Sequence, residues 1–102
     1  MATISLYYWA GAKAAAGVSM ERFEADSVAA ALEQARQSRP GDAHFDRVLG
    51  MSSVLVDDVV ARGDDLRRPL AGVVRVEILP PFAGGGDPQQ ETGETDGRLY
   101  EQ

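Results

Sequence analysis

Only one stretch of the sequence keeps a helical apolar period long enough to cover a sheet. Val28, Ala31, Leu32 and Ala35 recur at i, i+3, i+4 and i+7 behind Asp26-Ser27, a pair suited to an N-cap. An amphipathic helix has one stripe to bury, so this stripe needs a sheet to lie on. The remaining apolar residues supply one in short alternating runs. Ala2 to Trp9 puts Ile4, Leu6 and Tyr8 on one strand face and Thr3, Ser5, Tyr7 and Trp9 on the other. Ala10 to Gly17 reads as a helix of one to two turns that Gly17 ends. Val18 to Ala25 follows as a second strand beside the first, with Val18, Met20 and Phe23 as its apolar residues.

Beyond the helix, the turn cluster Ser38-Arg39-Pro40-Gly41-Asp42 leads to one further helical turn, His44 to Leu49, before Gly50. Ser53 to Asp57 and Val59-Val60 read as short strands about Asp57-Asp58, closed by Arg62-Gly63-Asp64-Asp65. After the turn Pro69-Leu70-Ala71-Gly72, the last strand runs from Val73 to Leu79 with Val74, Val76 and Ile78 on one face. It stops because Pro80-Pro81 has no N–H to donate to a ladder. The order predicts an α+β fold with one main helix over a mixed sheet. A β-grasp and a ferredoxin-like arrangement both fit that spacing.

The 102 residues suit one domain, and 44% apolar content is enough to build its core. Residues 87–102 have only Leu99 and Tyr100 as sizeable apolar side chains, too few to offset their ordering entropy. We therefore expect a domain over residues 1–85 and a flexible acidic extension over 86–102. Charge divides the same way, with 9 basic and 11 acidic side chains in residues 1–86 against 1 and 5 in residues 87–102. No basic cluster offers the electrostatic footprint of a nucleic-acid partner. With no cysteine, the chain forms no disulfide or thiolate metal site and carries no persulfide of its own. It has neither a signal-type start nor about 18 consecutive apolar residues, so the expected location is the cytoplasm, away from membranes.

The segment that can carry chemistry is Pro80-Pro81-Phe82-Ala83-Gly84-Gly85, directly after the last core strand. Diproline holds an extended exit and lowers the entropy lost when a partner grips it. Phe82 can anchor in an apolar pocket, while Ala83, Gly84 and Gly85 are slim enough to thread a channel and let an enzyme approach a carbonyl. Taken alone, Gly84-Gly85-Gly86 reads more readily as the start of a flexible linker.

Pro80 to Gly85 resembles the C-terminal signature of molybdopterin synthase small subunits, within the MoaD/ThiS sulfur-carrier family. Tyr7 to Gly17 is similar to that family's first strand and short helix. Ser53 to Val60 with Pro69-Leu70 is similar to its central hairpin and the turn before its last strand, although Ala71-Gly72-Val73 stands where the family has a Gly-Asp pair. The resemblance covers residues 3 to 85. It implies a ubiquitin-like β-grasp domain whose terminal glycine carboxylate is adenylated and then converted to a thiocarboxylate. Gly85 would carry the sulfur, Gly84 and Ala83 would permit threading, and Pro80, Pro81 and Phe82 would dock. Such a carrier binds no cofactor or metal itself; the partner adenylating or sulfurtransferase enzyme uses ATP and a sulfur donor. A large synthase subunit or another sulfur-accepting enzyme would be a further partner. The product is a sulfur donor or synthase subunit rather than a self-sufficient enzyme.

The family's carriers end at the second glycine, whereas here Gly85 is joined to Gly86 and the sequence continues to Gln102. Three explanations stand side by side: a protease cuts after Gly85 or Gly86, the extension is permanent on a non-catalytic β-grasp interaction module, or the extension is material added to the carrier sequence. Elsewhere, Tyr7 and Trp9 are candidates for partner contact on the sheet face left bare by the helix. His44 beside Asp42 and Asp46 is a weak metal pattern that reads better as an exposed loop histidine, and Lys13 reads as an exposed helix residue. Asp57-Asp58 and Asp64-Asp65 read as turn formers.

Overall fold

The computed structural model describes residues 1–81. In chain order these form β1 (Ala2–Tyr8), α1 (Ala10–Ala16), β2 (Met20–Ala25), α2 (Val28–Gln37), α3 (Ala43–Met51), β3 (Ser53–Val56), β4 (Val59–Ala61), a 3₁₀ turn (Gly63–Arg67) and β5 (Gly72–Leu79). The strands make one sheet in the order β2-β1-β5-β3-β4. β1 and β5 run parallel at its centre, and every other neighbouring pair is antiparallel. This is the β-grasp arrangement, which removes the ferredoxin-like alternative. Phe82, Ala83, Gly84, Gly85 and Gly86, the expected boundary at 85/86 and the tail to Gln102 lie outside the described residues.

The alternation in β1 and β5 sends Ile4, Leu6, Tyr8, Val74, Val76 and Ile78 to one face, all buried. Against them lie the predicted stripe of α2, Val28, Ala31, Leu32 and Ala35, and three residues of α3, Phe45, Val48 and Leu49. Ser27 caps α2 by accepting a hydrogen bond at Oγ from the Ala30 N–H, at 3.1 Å. Asp42 caps α3 in the same way through the Phe45 N–H, at 2.9 Å. That cap explains why α3 exceeds the single turn expected and runs through Gly50 to Met51. His44 is accordingly an exposed helical residue rather than a loop residue, and no cluster of three metal-ligating side chains occurs among the described residues.

The start of the second strand also differs from expectation. Val18 lies before β2 and is exposed, while Met20 and Phe23 point to opposite faces because their separation is odd. Phe23 joins the core. Trp9 leaves the strand and becomes the N-cap of α1, and α1 ends as predicted at Gly17 with φ 81°.

Arg39, just past α2, ties these pieces together. Its Nη2 lies 2.9 Å from Glu21 Oε1 on β2, and Nη2 also donates to the Ala16 carbonyl at the end of α1 at 3.0 Å. Nη1 donates to the Ala35 carbonyl of α2 at 3.0 Å. The guanidinium covers the Phe45 ring at 4.4 Å, and the Tyr8 hydroxyl donates to Glu21 Oε1 at 2.9 Å. Burial, with the Glu21 hydrogen bond second, pushes the Tyr8 phenol well above its ordinary pKa. The network fixes α1 at its C-terminal end, and through α1 it sets the position of Trp9 at the other.

Candidate docking site at the end of the last strand

β5 is held by β1 from Gly72 to Ile78 and by β3 from Val76 to Leu79, so the residues that follow Leu79 leave from a strand end paired on both sides. The last ladder bond on the β1 side is donated by the Trp9 N–H to the Ile78 carbonyl, at 3.2 Å. The Trp9 carbonyl then accepts from the Ala12 and Lys13 N–H groups, at 2.9 and 3.3 Å, and starts α1. The turn between strand and helix takes Ala10 to φ 47°, a left-handed conformation uncommon for a residue with a Cβ. Its effect is to hold Trp9 beside the point where the chain leaves the sheet.

There Trp9, Ala10, Leu79 and Pro80 line an apolar groove of about 340 Å³. Trp9 is 46% exposed, and Pro81 is exposed immediately beyond the groove. Apolar surface next to a projecting segment suits a partner that grips the segment and covers the groove together. Two other hollows lie along β4 and share Val60 and Ala61, and neither is lined by a residue of this groove.

The structure brings together two of the sequence-derived docking residues, Trp9 and Pro80, and places Pro81 next to them. Tyr7 is separate: it lies on the helix-free sheet face, half-buried, with the Arg75 guanidinium 3.9 Å above its ring. It therefore offers a capped ring rather than a bare aromatic surface. Leu79 and Ala10 were missed as groove residues. Leu79 carried a signal, since its position alternates with the buried Ile78; Ala10 carried none, because its role depends on the left-handed turn. Lys13 is an exposed residue of α1. Asp57 accepts the Arg75 N–H at 3.0 Å, Asp64 pairs with Arg67 and Asp65 with Arg68, so three of the four paired carboxylates serve local structure. Phe82 to Gly86 lie outside the described residues.

No family model matches the sequence. No curated protein matches it either. Solved structures do. The small archaeal modifier protein 1 from Methanosarcina acetivorans superposes with a TM-score of 0.69 at 21% identity, covering 83% of this chain and 98% of that one. Subunit 1 of a molybdopterin-converting factor, solved as a complex of subunits 1 and 2 from Helicobacter pylori 26695, gives 0.58 at 19% identity over 81% of this chain and 99% of that chain. The putative molybdopterin converting factor subunit 1 from Pyrococcus furiosus gives 0.62 at 17% identity, over 80% and 100%. The described domain therefore has the ubiquitin-like β-grasp fold that these modifier and converting-factor structures share.

Proposed function

We propose that this chain is a sulfur carrier whose Gly84-Gly85, once freed by removal of the residues after Gly85, is activated as an adenylate and converted to a thiocarboxylate. The observation that carries the reading is the join of a central strand, a diproline exit and an apolar groove, immediately upstream of Gly84-Gly85. A carrier needs a rigid body and a slim reactive end that a partner can locate. The sheet supplies the body, and Trp9, Ala10, Leu79 and Pro80 supply a surface that ends five residues before Gly85 in the sequence.

The chemistry runs in three balanced steps. A protease adds water across the peptide bond after Gly85, or trims to it from Gly86, leaving the Gly85 carboxylate. That carboxylate attacks the α-phosphate of ATP on the partner adenylating enzyme, and pyrophosphate leaves. Sulfide from the enzyme's sulfur donor attacks the acyl carbon, AMP departs with the oxygen it gained, and a thiocarboxylate remains. The chain contributes no acid or base to these steps. Its part is threading through Gly84 and Ala83 and docking through Pro80, Pro81, Phe82 and Trp9. Sulfur would then pass to a large synthase subunit or another sulfur-accepting enzyme, in molybdopterin or related biosynthesis.

The test is a chain truncated after Gly85, offered to a cognate adenylating enzyme with ATP and labelled pyrophosphate. Exchange of label into ATP that requires the truncated chain supports the proposal. Absence of exchange with a competent enzyme removes it and leaves a β-grasp interaction module with a permanent extension.

A further inference from the structure

The two edges of the sheet are finished differently. Just past β4 the edge is blunted: the Arg62 N–H donates to Asp65 Oδ2 at 3.3 Å, and the Arg62 carbonyl accepts from the Asp65 N–H at 3.0 Å. The 3₁₀ turn thus folds over the next pairing position, one of the devices by which edge strands are blunted. Among the described residues, β2 has no such cover. The Tyr8 N–H bonds the Ser19 carbonyl, which fixes the parity of the β1–β2 ladder and turns the N–H and C=O groups of Met20, Arg22 and Glu24 outward. Among the described residues, the one further bond to these groups is from Gln34 Nε2 to the Glu24 carbonyl, at 2.9 Å. That carbonyl keeps a second lone pair.

The side chains along this edge are self-complementary. Arg22 and Glu24 are both exposed and share the helix-free face. Arg22 makes no ion pair or side-chain hydrogen bond among the described residues. Glu24 accepts from Thr3 Oγ1 through Oε2 alone, at 2.7 Å, leaving Oε1 available.

We infer that β2 pairs with β2 of a second copy of this chain, antiparallel about Phe23, so that each Arg22 stands opposite the other copy's Glu24. Three features select this register. It places the outward groups of Arg22 and Glu24 against one another, giving four backbone hydrogen bonds. It sets two opposite-charge pairs directly across the strands on one face. It brings the two Phe23 side chains together on the helix side, at the close non-hydrogen-bonded spacing. Moving the centre by one residue either way loses the charge pairing: centring on Arg22 opposes two arginines, and centring on Glu24 opposes two carboxylates. The interface is small, so the dimer is a weak one that forms at high concentration. It uses the edge opposite β4 and none of the groove residues, and it is independent of the sulfur-carrier reading.

The test is sedimentation of the full chain, from roughly 10 μM to roughly 1 mM, where weak strand-edge association becomes populated. The wild type should rise toward dimer mass with concentration. R22E and E24R should each stay monomeric across the range, with unchanged thermal midpoints showing that they fold. Mixing R22E with E24R in equal amounts should restore the dimer, because every cross-strand pair then carries opposite charges. A wild type that stays monomeric at the top concentration overturns the inference. So does a single variant that dimerises like wild type, or a mixture of the two that stays monomeric. No adenylating enzyme is involved, so failure here leaves the Gly85 chemistry standing.

Discussion

Arg39 Nη2 lies 2.9 Å from Glu21 Oε1, an ion pair with the two side chains 13% and 25% exposed, joining the end of α2 to the edge strand β2. The same guanidinium holds the Ala16 and Ala35 carbonyls, so its removal strands one carboxylate and two helix-end carbonyls at once. Arg39→Met keeps much of the contact with Phe45 and deletes the donors. We expect it to cost about 2–3 kcal/mol, below a fully buried pair because water reaches this one. Urea unfolding measures it, and a loss under about 0.5 kcal/mol would show that the network contributes little.

The Tyr8 phenol gives the same region a pH signature. Its native pKa lies above the ordinary 10.0, chiefly through burial. Between those values the unfolded chain has released the proton and the native chain has not, so raising the pH favours unfolding. This contribution is complete below pH 10 and is lost as the pH rises above it. Tyr8→Phe should be less stable than wild type by about 1 kcal/mol at neutral pH, and the gap should close above about pH 10. Parallel urea titrations across that range check it. A constant gap would mean that the phenol titrates alike in both states.

The β3–β4 hairpin turns through Asp57 and Asp58, with φ 47° and 70°, a pair of left-handed residues that a two-residue loop of this hand requires. Asp57 gains from a side chain, since Oδ1 accepts the Arg75 N–H at 3.0 Å. Asp58 has no such bond among the described residues. Asp58→Gly should therefore stabilise by about 0.5–1 kcal/mol through relief of strain. Asp57→Gly should destabilise or be neutral, because the lost hydrogen bond offsets the same relief. Thermal unfolding of the two variants separates them; equal effects would contradict the assignment.

Trp9 tests the docking surface without touching the glycines. Because its side chain is 46% exposed and its cap is made by the backbone, Trp9→Ala should lower stability by under about 1 kcal/mol. In a chain truncated after Gly85, it should weaken engagement of the adenylating enzyme about tenfold or more, as expected for an aromatic anchor. Pyrophosphate exchange at varied carrier concentration reads this as a raised KM. An unchanged KM would show that the groove is not part of the grip.

The buried faces were legible in the sequence because strand and helix periods report burial directly. Ile4, Leu6 and Tyr8, the stripe from Val28 to Ala35, and Val74, Val76 and Ile78 all lie where alternation puts them. Three things were not legible. Trp9 continues the alternation of β1 but is taken into the start of α1 by a left-handed Ala10, a backbone choice with no glycine to announce it. α3 outgrew one turn because its cap and three buried residues outweigh the helix-weakening Gly50. Arg39 sits in a turn cluster that reads as solvent-exposed, and two of its partners, Ala16 and Glu21, come from elements distant in sequence. The groove was half legible: Trp9 and Pro80 stood out by type, whereas Ala10 and Leu79 join them only through the fold.

Sulfur loading of Gly85 is read from the intact mass of the chain truncated after Gly85, following incubation with a cognate adenylating enzyme, ATP and a sulfur donor. A product about 16 Da heavier is expected, from the replacement of one carboxylate oxygen by sulfur, and it should disappear when Gly85 is deleted. An unmodified mass, with the same enzyme modifying its own known carrier in a parallel reaction, would contradict sulfur loading at Gly85.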